Sequence, residues 1–250
     1  MKKLLTIALL TFVVSFASAQ SVYNTTAGEM IFGFSNANYN TPEGGDLLPN
    51  GNTPGNIEDA VRFTIWFHLG TYWHYDINNT IGFYTGISNR NIGFITSEAA
   101  SDGITGGNVK WKRRAYSLGV PLAIKLGKLD DGFYIFAGGQ YEMLYHYKEK
   151  EFLPTGKRKY TEWFSDRVNM WMPSVFGGVS FPKGLSLKFT YNLSNMMNED
   201  YSIEMIGGNH VKPYKYMDSR LLYISVFQML RWDNVTYKQV EQKSKKIALL

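Results

Sequence analysis

Apolar and polar residues alternate with period two over long stretches of this chain, the spacing of strands whose two faces meet different surroundings. In the segment from Leu185, one face holds Leu185, Leu187, Phe189, Tyr191 and Leu193; Ser186, Lys188, Thr190, Asn192 and Ser194 hold the other. From Val61, one face carries Val61, Phe63, Ile65, Phe67, Leu69, Thr71, Trp73 and Tyr75. The opposite face carries Arg62, Thr64, Trp66, His68, Gly70, Tyr72 and His74. Further on, Tyr116, Leu118, Val120, Leu122, Ile124 and Leu126 oppose Arg113, Ala115, Ser117, Gly119, Ala123 and Lys125. Phe133, Ile135, Ala137, Tyr141, Met143 and Tyr145 likewise oppose Gln140, Glu142, His146 and Lys148. These runs exceed the about 5–6 residues usual for a soluble strand. They match the roughly 9–11 tilted residues that cross a bilayer.

The pattern predicts eight strands, near 29–40, 61–75, 80–95, 110–127, 133–151, 166–181, 185–198 and 219–232. Their connections alternate in length. Residues 76–79, 128–132 and 182–184 are short and rich in turn formers, whereas 41–59, 96–109, 152–165 and 199–218 are long. Both ends of the strand array then fall on the side of the short turns. An even strand number with short turns on one side and long loops on the other is the pattern of bacterial outer-membrane barrels. A soluble sandwich has no reason to sort its loops by side. The fold expected is all-β, an eight-stranded antiparallel up-and-down transmembrane β-barrel over residues 20–232. Trp73, Tyr75, Phe133 and Trp232 would mark its periplasmic aromatic girdle, and Tyr145, Tyr147 and Trp111 its outer one.

The start of the chain gives this barrel a route. Lys2 and Lys3 precede an apolar run from Leu4 to Phe16 and then Ala17-Ser18-Ala19, the layout of a cleaved signal peptide over 1–19. No Cys follows the cleavage site and the chain contains none, so neither a lipoprotein anchor nor a disulfide frame is expected. There are 17 Tyr, 16 Phe and 24 Gly, yet no later segment approaches the roughly 18 consecutive apolar residues of a membrane helix. Losing Lys2 and Lys3 lowers the formal charge of +5 by two, to +3, too small an excess to argue for nucleic acid. The segment 233–250, with Lys238, Lys243, Lys245 and Lys246, reads as a basic periplasmic tail, either frayed or a short docking helix.

Three segments resemble the outer-membrane β-barrel family common in Bacteroidetes, which includes PorT-like proteins. Residues 116–125, YSLGVPLAIK, resemble that family's "Y-L-x-I-P-L-L-x-K" strand. Residues 133–140, FYIFAGGQ, are similar to its "F-Y-x-x-A-G-P" strand, with Gly139 where the family often has Pro. Residues 177–192, GGVSFPKGLSLKFTYN, resemble its Gly-rich hairpin. The resemblance implies an outer-membrane barrel and little about activity, although PorT-like members serve protein secretion.

Eight strands enclose a space that side chains fill. The inward face offers Glu29, Arg62, Arg90, Arg113, Lys125, Glu142, Lys188 and Arg220, charges that must pair or hydrate in a low dielectric. They fit an internal salt-bridge network that plugs the lumen, or the lining of a narrow pore for polar solutes. His68 and His74 stand six residues apart, about 20 Å along a strand, too far to share a metal. His146 and His210 lack ligand-like neighbours, and no cofactor is expected. A lipid A-modifying enzyme would need a Ser and a His converging. Ser174, Ser180, Ser194 and Ser225 have no His predictably beside them, so the chain reads as non-enzymatic. Lys110, Lys112 and Arg114 top one strand, Lys148 and Lys150 the next, and Lys157, Arg158 and Lys159 the following loop. This cluster suits the phosphates of lipid A, or is an ordinary solvated rim. Partners expected are outer-membrane lipids, lipopolysaccharide among them, and a protein met through the outer loops or the tail.

Overall fold

The computed structural model describes residues 21–35, 38–39, 61–65, 67–100, 105–106, 108–204 and 210–232. The expected leader 1–19, the loop 41–59 and the tail 233–250 lie outside the described residues. In chain order the strands are β1 (Ser21–Ser35), β2 (Asn38–Tyr39), β3 (Arg62–Thr64), β4 (Leu69–Asp76), β5 (Ile81–Ala99), β6 (Asn108–Lys128) and β7 (Phe133–Leu153). There follow β8 (Gly156–Trp163), β9 (Trp171–Ser180), β10 (Leu185–Asn192), β11 (Ile203–Glu204), β12 (His210–Val211), β13 (Met217–Asp218) and β14 (Leu221–Arg231).

β1, β4, β5, β6, β7, β9, β10 and β14 pair antiparallel in that order. β14 returns to β1 through a register running from Thr25↔Arg231 to Ser35↔Leu221. The ring of eight strands is closed, which removes the free edges an open sheet would leave for aggregation. β3 continues the path of β4 along β1, and β8 folds back on the upper end of β7. The short pairs β2–β13 and β11–β12 lie in the long-loop connections.

Packing inverts the rule of soluble proteins. On β6, Val120 is 56% exposed while Lys125 is 0% exposed. Leu118, Leu122, Ile124 and Leu126 share the outward face with Val120; Ala115, Ser117 and Ala123 share the inward face with Lys125. The outward apolar row from Leu126 to Tyr116 spans about 33 Å along the strand. At the usual tilt of about 40° that is about 25 Å of height, the apolar band of a barrel in a bilayer. The outward face of β4, β9, β10 and β14 continues it with Leu69, Val175, Phe189 and Leu222.

Several boundaries differ from those predicted; the strands expected to end at 40 and 198 end at Ser35 and Asn192. β1 begins at Ser21, because Ser21–Gly28 pair with β4 although, after Val22, their outward residues Asn24, Thr26 and Gly28 are small or polar. The strand expected over 61–75 is two pieces, β3 and β4. β5 and β6 run on to Ala99 and from Asn108, so most of the loop expected over 96–109 is strand. The loop expected over 152–165 contains β8, and β9 starts only at Trp171.

One irregularity reorganises the upper barrel. Tyr116 pairs with His146 and Ser117 with Leu144, which leaves Tyr145 as an extra residue, a β-bulge. Below it Gln140, Glu142 and Leu144 face inward; above it Tyr147, Glu149 and Glu151 do. Tyr147 is therefore buried in the interior and not part of an outer girdle. His146 and Lys148, expected inward, face outward, where His146 stacks on Trp163 at 4.2 Å and on Tyr116 at 5.6 Å. Trp111 pairs with inward Thr96 and Glu151 and lies 4.8 Å from the Arg113 guanidinium, so it too faces in. Tyr116, Tyr145 and Trp163 form the outer aromatic row instead.

Candidate functional site: a filled lumen and an outward cationic grid

The lumen is filled in layers. Near the short turns, Tyr72, Tyr84, Tyr134, Phe136, Phe176 and Phe227 build an aromatic cluster. Lys125 Nζ enters beside it, paired with Asp76 and donating to the Tyr23 hydroxyl at 3.2 Å. It also lies 3.2 Å from His74 Nδ1, so that nitrogen accepts and Nε2–H points to Thr25 Oγ1 at 3.0 Å. At mid-height Arg90 meets Glu142 at 3.0 Å, both fully buried, and Lys188 meets Glu29 at 2.9 Å. Glu142 also accepts from Ser117 Oγ at 2.7 Å and from the Tyr223 hydroxyl at 3.3 Å. Higher still, Arg113 bridges Glu98 and Glu149, and Arg167 reaches Glu149 at 3.5 Å. Ile31, Phe94, Leu144, Met172, Met196, Met197 and Met217 pack around this upper layer.

Charges removed from water are tolerated only when paired and further hydrogen-bonded. Glu29, Arg90, Arg113, Lys125, Glu142 and Lys188 are all ion-paired. Arg113, Lys125 and Glu142 are hydrogen-bonded further, whereas Arg90 Nε and Nη1 have no acceptor among the described residues and Arg90 rests instead over the Tyr223 ring at 5.5 Å. Arg62 faces inward with a different task. Where β5 runs above β4 its ladder partner is missing, and side chains replace it. Arg62 donates to the Asn91 carbonyl at 3.0 Å and to Asn91 Oδ1 at 2.6 Å. The Asn91 N–H donates to His68 Nδ1 at 3.2 Å. Arg220 is a correction: it sits exposed at the foot of β14 facing the long loops, paired with Asp218. Sequence reasoning missed the acids Asp76, Glu98 and Glu149. By sequence pattern Asp76 falls in a turn and Glu98 in a loop, whereas both stand near strand ends, and the bulge reverses the parity of Glu149.

A cavity of about 400 Å³ opens at the short-turn end, lined by Tyr23, His74, Tyr134 and Arg231 among others. Another of about 570 Å³ opens at the long-loop end, lined by Asn169, Asn195, Tyr216 and Asp218 among others. They share no lining residue. The histidines hydrogen-bonded inside the barrel, His68 and His74, bond to threonines, to the Asn91 N–H and to Lys125, and no Ser–His pair forms among the described residues. No group of three or more His, Asp or Glu suited to a metal occurs among the described residues.

The basic cluster separates by face. Lys110, Lys112 and Arg114 on β6, Lys148 and Lys150 on β7, and Lys157 and Lys159 on β8 alternate with inward residues and share the outer surface. Arg158 is the exception, turned inward to Glu151 at 3.4 Å. Register sets the outward cations in rows: Arg114↔Lys148, then Lys112↔Lys150↔Lys159, then Lys110 and Lys157 flanking Phe152. Among the described residues none of the seven forms an ion pair. Partial burial, then the charges of Arg62, Arg114, Lys150 and Lys110, hold Lys112 below the usual lysine range. Burial and then Arg114, Lys159, Lys157 and Lys148 do the same to Lys150. The rows stand directly above the aromatic row of Tyr116, His146 and Trp163, and Lys148 lies 5.3 Å from the Tyr116 ring.

No family model matches the chain, and no curated protein matches it. Among solved structures it is similar to Ail, the attachment invasion locus protein of Yersinia pestis. That likeness has 9% identity, covers 83% of this chain and 98% of that one, and gives a TM-score of 0.34. It is also similar to the outer membrane protein OprG from Pseudomonas aeruginosa, at 10% identity, 84% and 94% coverage and a TM-score of 0.33. Superpositions this loose carry no argument. The barrel assignment rests on the closed register and the inverted alternation of this chain.

Proposed function

We propose that the chain is an integral outer-membrane β-barrel with a filled lumen, non-enzymatic, whose work is done at its outer end. The observation that carries this reading is the closed ring whose apolar side chains face out and whose charges are paired inside. A bilayer is the surrounding that makes such a surface stable. The aromatic cluster, the buried ion pairs and the methionine-rich upper layer that occupy the lumen favour a filled barrel over a channel. The finer role is an accessory or structural component of an outer-membrane complex, such as one for protein secretion. That role leans on the PorT-like strand grammar of 116–125 and 133–140. Purified barrel in planar bilayers is expected to give no stable single-channel steps; regular steps would favour the narrow-channel reading. Incubation with lipid A is expected to release no acyl chain, and release would make it a lipid-modifying enzyme. Mild-detergent pull-down through an outer-loop tag is expected to recover a protein partner.

A further inference from the structure

The seven outward cations of β6, β7 and β8 sit on a surface that no acid of this chain, among the described residues, comes to neutralise. Like charges directly opposite one another on adjacent strands are unfavourable. The row Lys112↔Lys150↔Lys159 places three of them in register. β7 itself supplies Glu149 and Glu151 and the neighbouring β5 supplies Glu98, yet all three acids turn inward. An arrangement that separates its cations from its own acids presents them to an anion from outside.

Height narrows the choice of anion. Successive rows are two residues apart, about 6.6 Å along a strand. At a tilt of about 40° each row stands about 5 Å above the one below. Starting from the aromatic row, Arg114 and Lys148 lie about 5 Å up, the Lys112 row about 10 Å and the Lys110 row about 15 Å, by the same spacing and tilt. The headgroup layer of a leaflet is only about 5–7 Å deep. A phospholipid phosphate therefore reaches the first row and leaves the upper two in water. We infer that this face holds the headgroup of a phosphorylated glycolipid of the lipopolysaccharide class. Its phosphate meets Arg114 and Lys148, and anionic groups on its saccharide meet Lys112, Lys150 and Lys159. The apolar belt beneath, with Tyr141 stacked on Trp171 at 5.5 Å, receives the acyl chains. This inference deepens the proposed membrane reading and rests on it.

The full-length protein is reconstituted in phosphatidylcholine vesicles alone, with lipopolysaccharide, or with the same lipopolysaccharide stripped of its phosphates. After extraction, the lipid retained by the purified barrel is measured by native mass spectrometry. Insertion into all three vesicles is expected, with severalfold preferential retention of the phosphorylated lipid that declines as salt is raised. The triple variant Arg114→Gln, Lys148→Gln, Lys150→Gln, which removes the phosphate row and the central cation above it, is expected to insert normally and lose most of that preference. A control at the other end, Lys128→Gln with Lys183→Gln, is expected to keep it. Equal retention of both lipopolysaccharides, or a triple variant indistinguishable from the parent, overturns the inference while the barrel stands. Binding of soluble heparin without any lipid preference also overturns it, in favour of a soluble polyanion. Failure to insert into any vesicle overturns the membrane reading and this inference with it.

Discussion

Arg113 and Arg114 are neighbours on β6 and have opposite surroundings. Arg113 is buried, bridges Glu98 and Glu149, and lies within 6.0 Å of the rings of Trp111, Phe94 and Tyr214. Arg114 faces out opposite Lys148, with Lys112 and Lys150 in the next row and no ion pair among the described residues. The difference follows from what lies beyond each face. Around Arg113 the packed interior leaves no room for water or a lipid phosphate, so the chain must supply the partner itself. Outside, solvent or a headgroup supplies it, and the chain is free to leave cations unmatched.

The sharpest way to break the comparison is to unpair an inner charge. Replacing Glu142 with Ala strands Arg90 in the lumen and removes the bonds from Ser117 and Tyr223. A loss of about 3–5 kcal/mol is expected. Denaturant unfolding in micelles, followed by the electrophoretic shift between folded and unfolded barrel, measures it. Removing both charges in Arg90→Met with Glu142→Leu should restore stability to about the parent level or above. A double variant as unstable as the single one would mean that the charges do more than satisfy one another. Next in size is Arg62→Ala, which frees the Asn91 carbonyl and Oδ1 at the β3–β5 seam. About 1.5–3 kcal/mol should be lost, with faster amide exchange in β5 above Asn89 as the local signature. The smallest effect has the opposite sign. Lys150→Glu places an acid between Lys112 and Lys159, and should stabilise the barrel by about 0.2–1 kcal/mol. The same change should weaken retention of phosphorylated lipid. A gain in both properties would remove the functional reading of the grid.

What the sequence disclosed depended on whether an element touches lipid. The outward runs Leu118–Leu126 and Phe133–Tyr141 carry large apolar residues at every second position or nearly so, and their alternation gave the strands and facing correctly. β8 reads Gly-Lys-Arg-Lys-Tyr-Thr-Glu-Trp, polar on both faces because it stands above the belt, and so resembles a loop in sequence. The first half of β1 was missed for a related reason: Asn24, Thr26 and Gly28 point outward without an apolar signature. Parity failed at Tyr145. Around it, Leu144-Tyr145-His146-Tyr147-Lys148 mixes aromatic and polar residues in a way that either facing accommodates, so nothing local betrays one extra residue. All eight expected lumen charges except Arg220 face inward, yet their partners were only partly visible, since three of the acids depend on strand ends or on the bulge. The division of the basic cluster between outward lysines and inward Arg158 likewise becomes legible only once the register is known.

The seam between β1 and β14 has a bearing on how the molecule is made. Trp232 donates to Thr26 across a separation of 206 residues at 2.7 Å, beside a ladder of eleven residue pairs. A chain under synthesis makes β1 first and cannot complete its pairing until the final strand exists. Through that interval both borders of the growing sheet stay open to any other unpaired strand, and contacts so distant in sequence form slowly. Closure thus acts as a test of completeness. A copy truncated before Leu221 would keep two adhesive borders, and should be recovered as aggregate or degradation product while the finished chain persists.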